Sequence, residues 1–140
     1  MKYLYYILCL VCCTLLFSSC KMADENGDLD GMWQLTEWRD KATNQVIKTN
    51  ADGLYYSFQK KVMMFQQAPQ ESHYLSHFTH TGNELVVGKT IYWPEETERP
   101  LTELTAKFGV PADGRFHIDV LTSTRMQLST DAHVLQFRKY

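Results

Sequence analysis

The chain has 140 residues, with 14 lysines and arginines against 16 aspartates and glutamates, for a formal net charge of −2. This near balance argues against nucleic-acid binding, because proteins that bind nucleic acids carry a basic surface that neutralises phosphates. The length suits one domain with an apolar core rather than two domains.

The first part of the chain reads as an export signal that ends at Cys20. Lys2 is followed by an apolar run, residues 3–17, and then by Ser18 and Ser19. This order of charge, apolar segment and small residues is typical of a secretory signal. A membrane-spanning helix needs about 20 apolar residues, which is more than this run offers. An ordinary cleaved signal, with Cys20 merely nearby, is the remaining alternative.

A signal that is cut just before a cysteine resembles those of bacterial lipoproteins. The resemblance implies that residues 1–19 are removed and that the thiol of Cys20 is acylated by palmitate-type chains. At ~0.8 kcal/mol per buried CH₂, two or three such chains hold a protein stably on a bilayer. The expected location is the cell envelope, anchored to the outer membrane on its periplasmic or its surface side. No free thiol then remains for a disulfide, a metal or catalysis.

Residues 20–30 are acidic and lack periodicity, which predicts a flexible tether. Within it, Asp24 and Glu25 resemble the acidic signal that sends Bacteroidetes lipoproteins to the cell surface. A solvated spacer explains the same two residues equally well.

From residue 31 onward, alternation of apolar and polar residues predicts about eight short strands. In chain order they cover residues 32–38, 54–59, 62–67, 72–81, 84–87, 116–120, 126–128 and 135–137. Gly82 and Asn83 predict a two-residue hairpin turn, and Phe116, Ile118 and Val120 are expected on one face. Apolar residues at helical spacing predict one short helix near 101–108, packed at the open end of a barrel.

Antiparallel strands in this number hide their edges best by closing into a barrel. The predicted fold is therefore all-β, an antiparallel eight-stranded barrel over residues 31–140. Eight strands enclose an interior that side chains fill or that holds one small ligand. A two-sheet sandwich fits the same alternation.

The Gly31-Met32-Trp33 tripeptide resembles the G-x-W opening of lipocalin-like domains. Residues 115–121, 126–128 and 134–139 resemble the last three strands of lipocalin-like lipoproteins of the Bacteroidetes. The resemblance implies a lipocalin-like, calycin-type barrel whose closed end is plugged by Trp33. It also implies a late-strand arginine over that ring, and Arg138 is the candidate.

Six aromatic residues are expected to face inward: Trp33, Tyr56, Phe58, Phe65 and Phe116, which are the candidate ligand contacts, and Phe137. They line a cavity for a small hydrophobic ligand in one interpretation, and simply fill the interior in the other. The alternative function is a surface interaction or structural lipoprotein with a filled barrel, for which the sequence predicts an exposed aromatic patch. That patch would surround Trp93 and the loop to Pro100.

The remaining polar residues do not indicate a cofactor, a metal site or an enzyme. His73 and His77 share a strand face but lie about 13 Å apart, too far for one zinc ion with bonds of ~2 Å. His117 and Asp119 share a face, which allows a hydrogen-bonded pair, but the pattern favours a cross-strand polar contact. The chain contains neither a nucleophile elbow nor a zinc-protease motif.

Overall fold

The computed structural model describes residues 1–3, 6 and 25–140, and within residues 25–140 it contains ten strands and one α-helix. The strands are β1 (Gly31–Asp40), β2 (Val46–Lys48), β3 (Leu54–Gln59), β4 (Val62–Gln67), β5 (His73–Thr81), β6 (Glu84–Trp93), β7 (Thr97–Arg99), β8 (Arg115–Leu121), β9 (Arg125–Ser129) and β10 (His133–Lys139). The helix α1 spans Thr102–Phe108, and two 3-10 turns span Gly27–Leu29 and Asn50–Asp52. Cys20 and most of the predicted signal lie outside the described residues.

The sheet closes on itself because the first strand, β1, pairs with both β3 and the last strand, β10. The barrel order is β1-β3-β4-β5-β6-β8-β9-β10, and neighbouring strands are antiparallel. The short strands β2 and β7 lie outside this ring, beside β1 and β6. The predicted eight-stranded antiparallel barrel is confirmed, and the sandwich alternative is excluded.

The two ends of the barrel differ, and we name them the closed end and the mouth. The closed end carries the Gly27–Leu29 turn, residues 60–61, residues 82–83, residues 122–124 and the C-terminal residue. The mouth carries connections 41–53, 68–72, 94–114 and 130–132. Helix α1 belongs to the longest of these connections, 94–114, and covers the mouth.

Inward-facing side chains follow the predicted alternation on most strands. On β3, Leu54, Tyr56 and Phe58 are buried, as the period of two requires. On β8 the alternation breaks at a bulge between Ile118 and Val120. Val120 was expected to face inward with Ile118, but this is wrong, because the bulge turns it outward and leaves it 38% exposed.

Trp33 seals the closed end. Its indole is fully buried, and its Nε1 donates a hydrogen bond of 2.8 Å to the backbone carbonyl of Leu29. The ammonium of Lys139 covers the ring and donates to the backbone carbonyls of Asp28 and Asp30. A Cβ on Gly31 would lie 2.8 Å from Cε of Lys139, so the glycine of the G-x-W tripeptide makes room for the lysine.

The expectation that Arg138 covers Trp33 is therefore wrong. Lys139, not Arg138, is paired directly opposite Trp33 across β1 and β10. Successive residues of a strand face opposite sides, so Arg138 points away from the ring. Its Nε instead donates a 2.8 Å hydrogen bond to Oε1 of Gln34.

The predicted flexible tether of residues 20–30 is shorter than expected, because residues 26–30 pack on the barrel. Leu29 is fully buried in the core. The Nδ2 of Asn26 donates to Oδ1 of Asp30 at 2.6 Å and to the backbone carbonyl of Lys60 at 2.8 Å. The chain is thus fastened to the closed end from Asn26 onward.

The helix predicted near residues 101–108 is confirmed as α1. Leu104 and Phe108 form its buried stripe, which rests on the barrel interior. Gly109, in the left-handed conformation, ends the helix and donates to the backbone carbonyl of Thr105 at 3.0 Å. The expected position of the helix, at the open end of the barrel, is also confirmed.

Candidate functional site at the mouth of the barrel

The five aromatic residues predicted as ligand contacts all lie inside the barrel, and each is at most 2% exposed. Tyr56 is their centre, since its ring lies 4.7 Å from that of Phe65 and 6.5 Å from those of Phe58 and Phe116, between ring centroids. Trp33 lies apart from them at the closed end. These side chains pack against one another, and their contact with a ligand stays a prediction.

Helix α1 joins this aromatic cluster through Phe108. The ring of Phe108 lies 5.5 Å from Phe65 and 6.4 Å from Tyr56 and Tyr74. The hydroxyl of Tyr56 donates to the backbone carbonyl of Phe108. Burial raises the pKa of Tyr56 well above its ordinary value, so the hydroxyl remains a donor. The last turn of α1 therefore caps the interior by both an apolar contact and a hydrogen bond.

A slot opens to solvent between α1 and strands β4 to β6. It holds about 60 Å³, and its aromatic walls are Phe65, Tyr74, Tyr92 and Phe108. Two of these four side chains, Phe65 and Phe108, also belong to the buried core. A water molecule occupies about 30 Å³ of liquid, so the slot as it stands accommodates only very small groups. A larger ligand reaches the interior only if α1 moves outward.

Arg99 organises the rim of the slot. Its guanidinium lies 5.3 Å from the centre of the Tyr92 ring and pairs with Glu95 at 2.7 Å and with Glu103 at 3.5 Å. Burial and the nearby Glu103 carboxylate raise the pKa of Tyr74, whose hydroxyl lies 3.5 Å from that carboxylate. One cation thus joins β6, β7 and the first turn of α1.

The aromatic patch predicted for a surface interaction is present in part. Trp93 is 41% exposed and stacks on His73 with ring centroids 6.2 Å apart. Tyr92, beside it, is half-buried because its ring packs 4.9 Å from that of Tyr74. The exposed aromatic surface is therefore centred on Trp93 and His73.

A second concavity, a groove of about 630 Å³, lies on the outer surface between residues 111–113 and the turn after β9. Eight of the twelve residues that line it are polar or charged, among them Lys41, Glu84, Arg115, His117 and Asp131. Arg115 forms an ion pair with Glu84, and Lys41 donates to the backbone carbonyl of Thr130. This chemistry does not suit an apolar ligand.

Asp119 lies beside this groove and contacts two residues of its lining, His117 and Ser129. Its carboxylate lies 2.8 Å from Nδ1 of His117 and accepts hydrogen bonds from Ser129 at 3.0 Å and Gln127 at 3.1 Å. Burial raises the pKa of Asp119, but the hydrogen bonds from Gln127, His117 and Ser129 outweigh it, and the pKa lies below its ordinary value. Asp119 thus makes both the pair with His117 and the cross-strand polar contacts that the sequence suggested, with Gln127 and Ser129 of β9.

Across residues 25–140 and the few described residues before them, no three His, Cys, Asp or Glu side chains meet in a group that would hold a metal ion. Within the same described part of the chain, no helix is both long and apolar enough to cross a bilayer.

Sequence comparison places this barrel in a family. The model of the lipocalin-like domain matches residues 15–140. The chain belongs to the lipocalin-like domain family. In this lipocalin-like barrel, the tryptophan of the G-x-W tripeptide, Trp33, seals the closed end. No curated protein matches the sequence.

Three solved structures are similar to this lipocalin-like chain. A lipocalin-like protein from Bacteroides uniformis is 24% identical over 81% of this chain and 100% of its own, with a TM-score of 0.61. A protein from Bacteroides eggerthii is 22% identical over 80% and 99%, with a TM-score of 0.60. A protein from Burkholderia xenovorans is 14% identical over 80% and 83%, with a TM-score of 0.55. At these identities the likeness establishes the fold.

Proposed function

We propose that this lipocalin-like protein is a membrane-anchored binding protein that takes up a small hydrophobic ligand at its mouth. Cys20 is the acylated residue, and the anchor holds the barrel on the outer membrane of the cell envelope. The role is binding and not catalysis. The anchor rests on the order of residues before Cys20 and on the lipoprotein resemblance.

One observation carries the ligand proposal: Phe108 belongs both to the wall of the slot and to the cap over the aromatic interior. Outward movement of α1 joins the slot to the space beneath it and exposes Phe65 and Tyr56 to an entering molecule. The helix has only seven residues, and the polar contacts described above that join it to the strands come from Tyr56, Tyr74 and Arg99. Apolar walls with a few polar groups at the rim are typical of sites for small hydrophobic molecules.

Native mass spectrometry of the protein extracted from its own membrane tests both parts of the proposal. We expect a mass that corresponds to an acylated chain beginning at Cys20, and a bound molecule that is released on activation. An unmodified chain that begins at Met1 contradicts the anchor. An acylated chain without a ligand in any preparation contradicts the ligand.

A matched pair of substitutions tests the position of the site. Ser72→Trp places an indole in the slot, whereas Ser123→Trp places one in an exposed turn at the closed end. With the uncharged apolar dye phenylnaphthylamine as the probe, we expect Ser72→Trp to weaken binding about tenfold and Ser123→Trp to leave it unchanged. Equal affinity in both variants and the parent places the dye elsewhere.

A second candidate function, surface interaction without a ligand, is favoured by the exposed Trp93 and by the dense packing around Tyr56. It predicts that the parent protein does not bind the dye. It also predicts that Trp93→Ala loses a partner that co-purifies with the parent. Retention of every such partner by Trp93→Ala argues against it.

A further inference from the structure

We propose that the closed end of the barrel faces the lipid headgroups and that the mouth points away from the bilayer. The inference rests on the lipid anchor at Cys20 proposed above. It identifies an interaction surface, the closed end, and its partner, the membrane surface.

The position of Asn26 supplies the first step. Its side chain is hydrogen-bonded to Lys60 of the turn between β3 and β4, and to Asp30. Leu29, three residues later, is buried in the core beneath Trp33. The point at which the chain leaves the barrel toward Cys20 is therefore fixed at the closed end.

The length of the chain supplies the second step. Cys20 precedes Asn26 by six residues, which reach at most about 20 Å when fully extended. Strand β1, with ten residues, covers about 25 Å along the barrel axis once the usual tilt is included. The mouth connections project further. If the mouth faced the bilayer, the tether would be too short to bring Cys20 to the acyl chains.

The charges at the two ends of the barrel favour the same orientation. The connections at the mouth carry eight acidic side chains: Asp52, Glu71, Glu95, Glu96, Glu98, Glu103, Asp113 and Asp131. They carry only four basic ones, Lys41, Lys48, Arg99 and Lys107, and Lys89 of β6 pairs with Glu98 as well, so the mouth is net negative. At the closed end, Lys60, Lys61, Arg125 and Lys139 accompany the acidic residues Glu25, Asp28 and Asp30, so that charges nearly balance. An anionic headgroup layer repels the mouth and tolerates the closed end.

This orientation defines how the proposed ligand arrives. The slot beside Phe108 opens at the end that points away from the bilayer. A ligand therefore enters from the aqueous phase, or from a partner located there, and not directly from the lipid that holds the anchor.

Two single-cysteine variants test the orientation in the full lipidated protein. Ser123→Cys lies in an exposed turn at the closed end, and Ala42→Cys lies in an exposed turn at the mouth. Both changes are small, and the sulfur of an acylated Cys20 does not react with a thiol-specific label. Each variant carries bimane and is placed in vesicles of phosphatidylethanolamine and phosphatidylglycerol with or without doxyl-labelled lipid, a short-range quencher.

We expect the doxyl lipid to quench the label at Ser123→Cys several-fold more than the label at Ala42→Cys. Equal quenching, or stronger quenching at Ala42→Cys, in a protein whose mass confirms acylation overturns the orientation and leaves the anchor intact. A mass without acyl chains overturns the anchor and the orientation together. The two failures are therefore distinguishable.

Discussion

The ammonium of Lys139 lies 4.6 Å from the centre of the Trp33 ring, and the two residues are paired across the seam that closes the barrel. The same ammonium donates to the backbone carbonyls of Asp28 and Asp30. One side chain thus joins the last strand, the first strand and the turn that precedes it.

Lys139→Ala is expected to lower the free energy of unfolding by about 2–3 kcal/mol, because it removes a cation–π contact and two charge-assisted hydrogen bonds. Urea unfolding measures the change. Arg138→Ala, the matched control, removes one hydrogen bond to Gln34 and is expected to cost about 1 kcal/mol. A larger loss in Arg138→Ala than in Lys139→Ala contradicts the assignment of the sealing residue.

Because Tyr56 is buried, the folded protein is expected to lose stability in alkali. Burial raises the folded-state pKa of Tyr56 above the ordinary value of 10.0, so the contribution is complete below pH 10 and declines as pH rises toward the folded-state pKa. Tyr56→Phe is expected to show a shallower decline in unfolding free energy above pH 10. Tyr140→Phe, whose side chain is exposed, is the control. Identical alkaline profiles for the parent and Tyr56→Phe contradict the prediction.

Because hydrogen bonds lower the pKa of Asp119, the folded protein is expected to lose stability in acid. The folded-state pKa of Asp119 lies below the ordinary value of 3.8, so its contribution is present above that value and disappears as pH falls through the folded-state pKa. Asp119→Asn is expected to lose about 1 kcal/mol at neutral pH, because its hydrogen bonds to His117 and Ser129 weaken. The difference between parent and variant should shrink below about pH 4. The exposed Asp131→Asn is the control, and a difference that is independent of pH contradicts the prediction.

Gly114 and Gly82 form a matched pair that separates backbone strain from steric contact. Both have positive φ, +71° and +59°, and an alanine at either is expected to cost about 1 kcal/mol for that reason. A Cβ on Gly114 would also collide with the backbone carbonyl of Val87, whereas one on Gly82 meets open space. Gly114→Ala is therefore expected to lose about 2 kcal/mol more than Gly82→Ala in thermal unfolding. Equal losses contradict the close packing of β6 against residue 114.

Much of the fold is predictable from the sequence because alternation reports which face of a strand is buried. The strands β3 and β4, the turn at Gly82 and Asn83, and helix α1 all occur where the pattern indicates. The three-residue strands β2 and β7 are too short for alternation to identify. The bulge at Asp119 adds a residue that a strict period of two does not anticipate.

The candidate site is less predictable, because it depends on register and on contacts between distant residues. Periodicity orients Phe65 and Tyr56 inward, but it does not say that Phe108 lies over them. The covering role of Lys139 depends on its pairing with Trp33, and a shift of one residue would have assigned that role to Arg138. From the sequence alone, the adjacent basic residues Arg138 and Lys139 are both candidates to cover Trp33, and only the register of β1 and β10 decides between them.

The pairing of β1 with β10 has a consequence for how the protein matures. Because the earliest strand completes its hydrogen bonds with the latest one, a growing polypeptide has two strand edges without partners until its final residues are available. Removal of the last strand, β10, takes away both Lys139, which covers Trp33, and the pairing that closes the barrel. We therefore expect the barrel to close only after the whole chain has been made, and truncated products to be cleared or to aggregate.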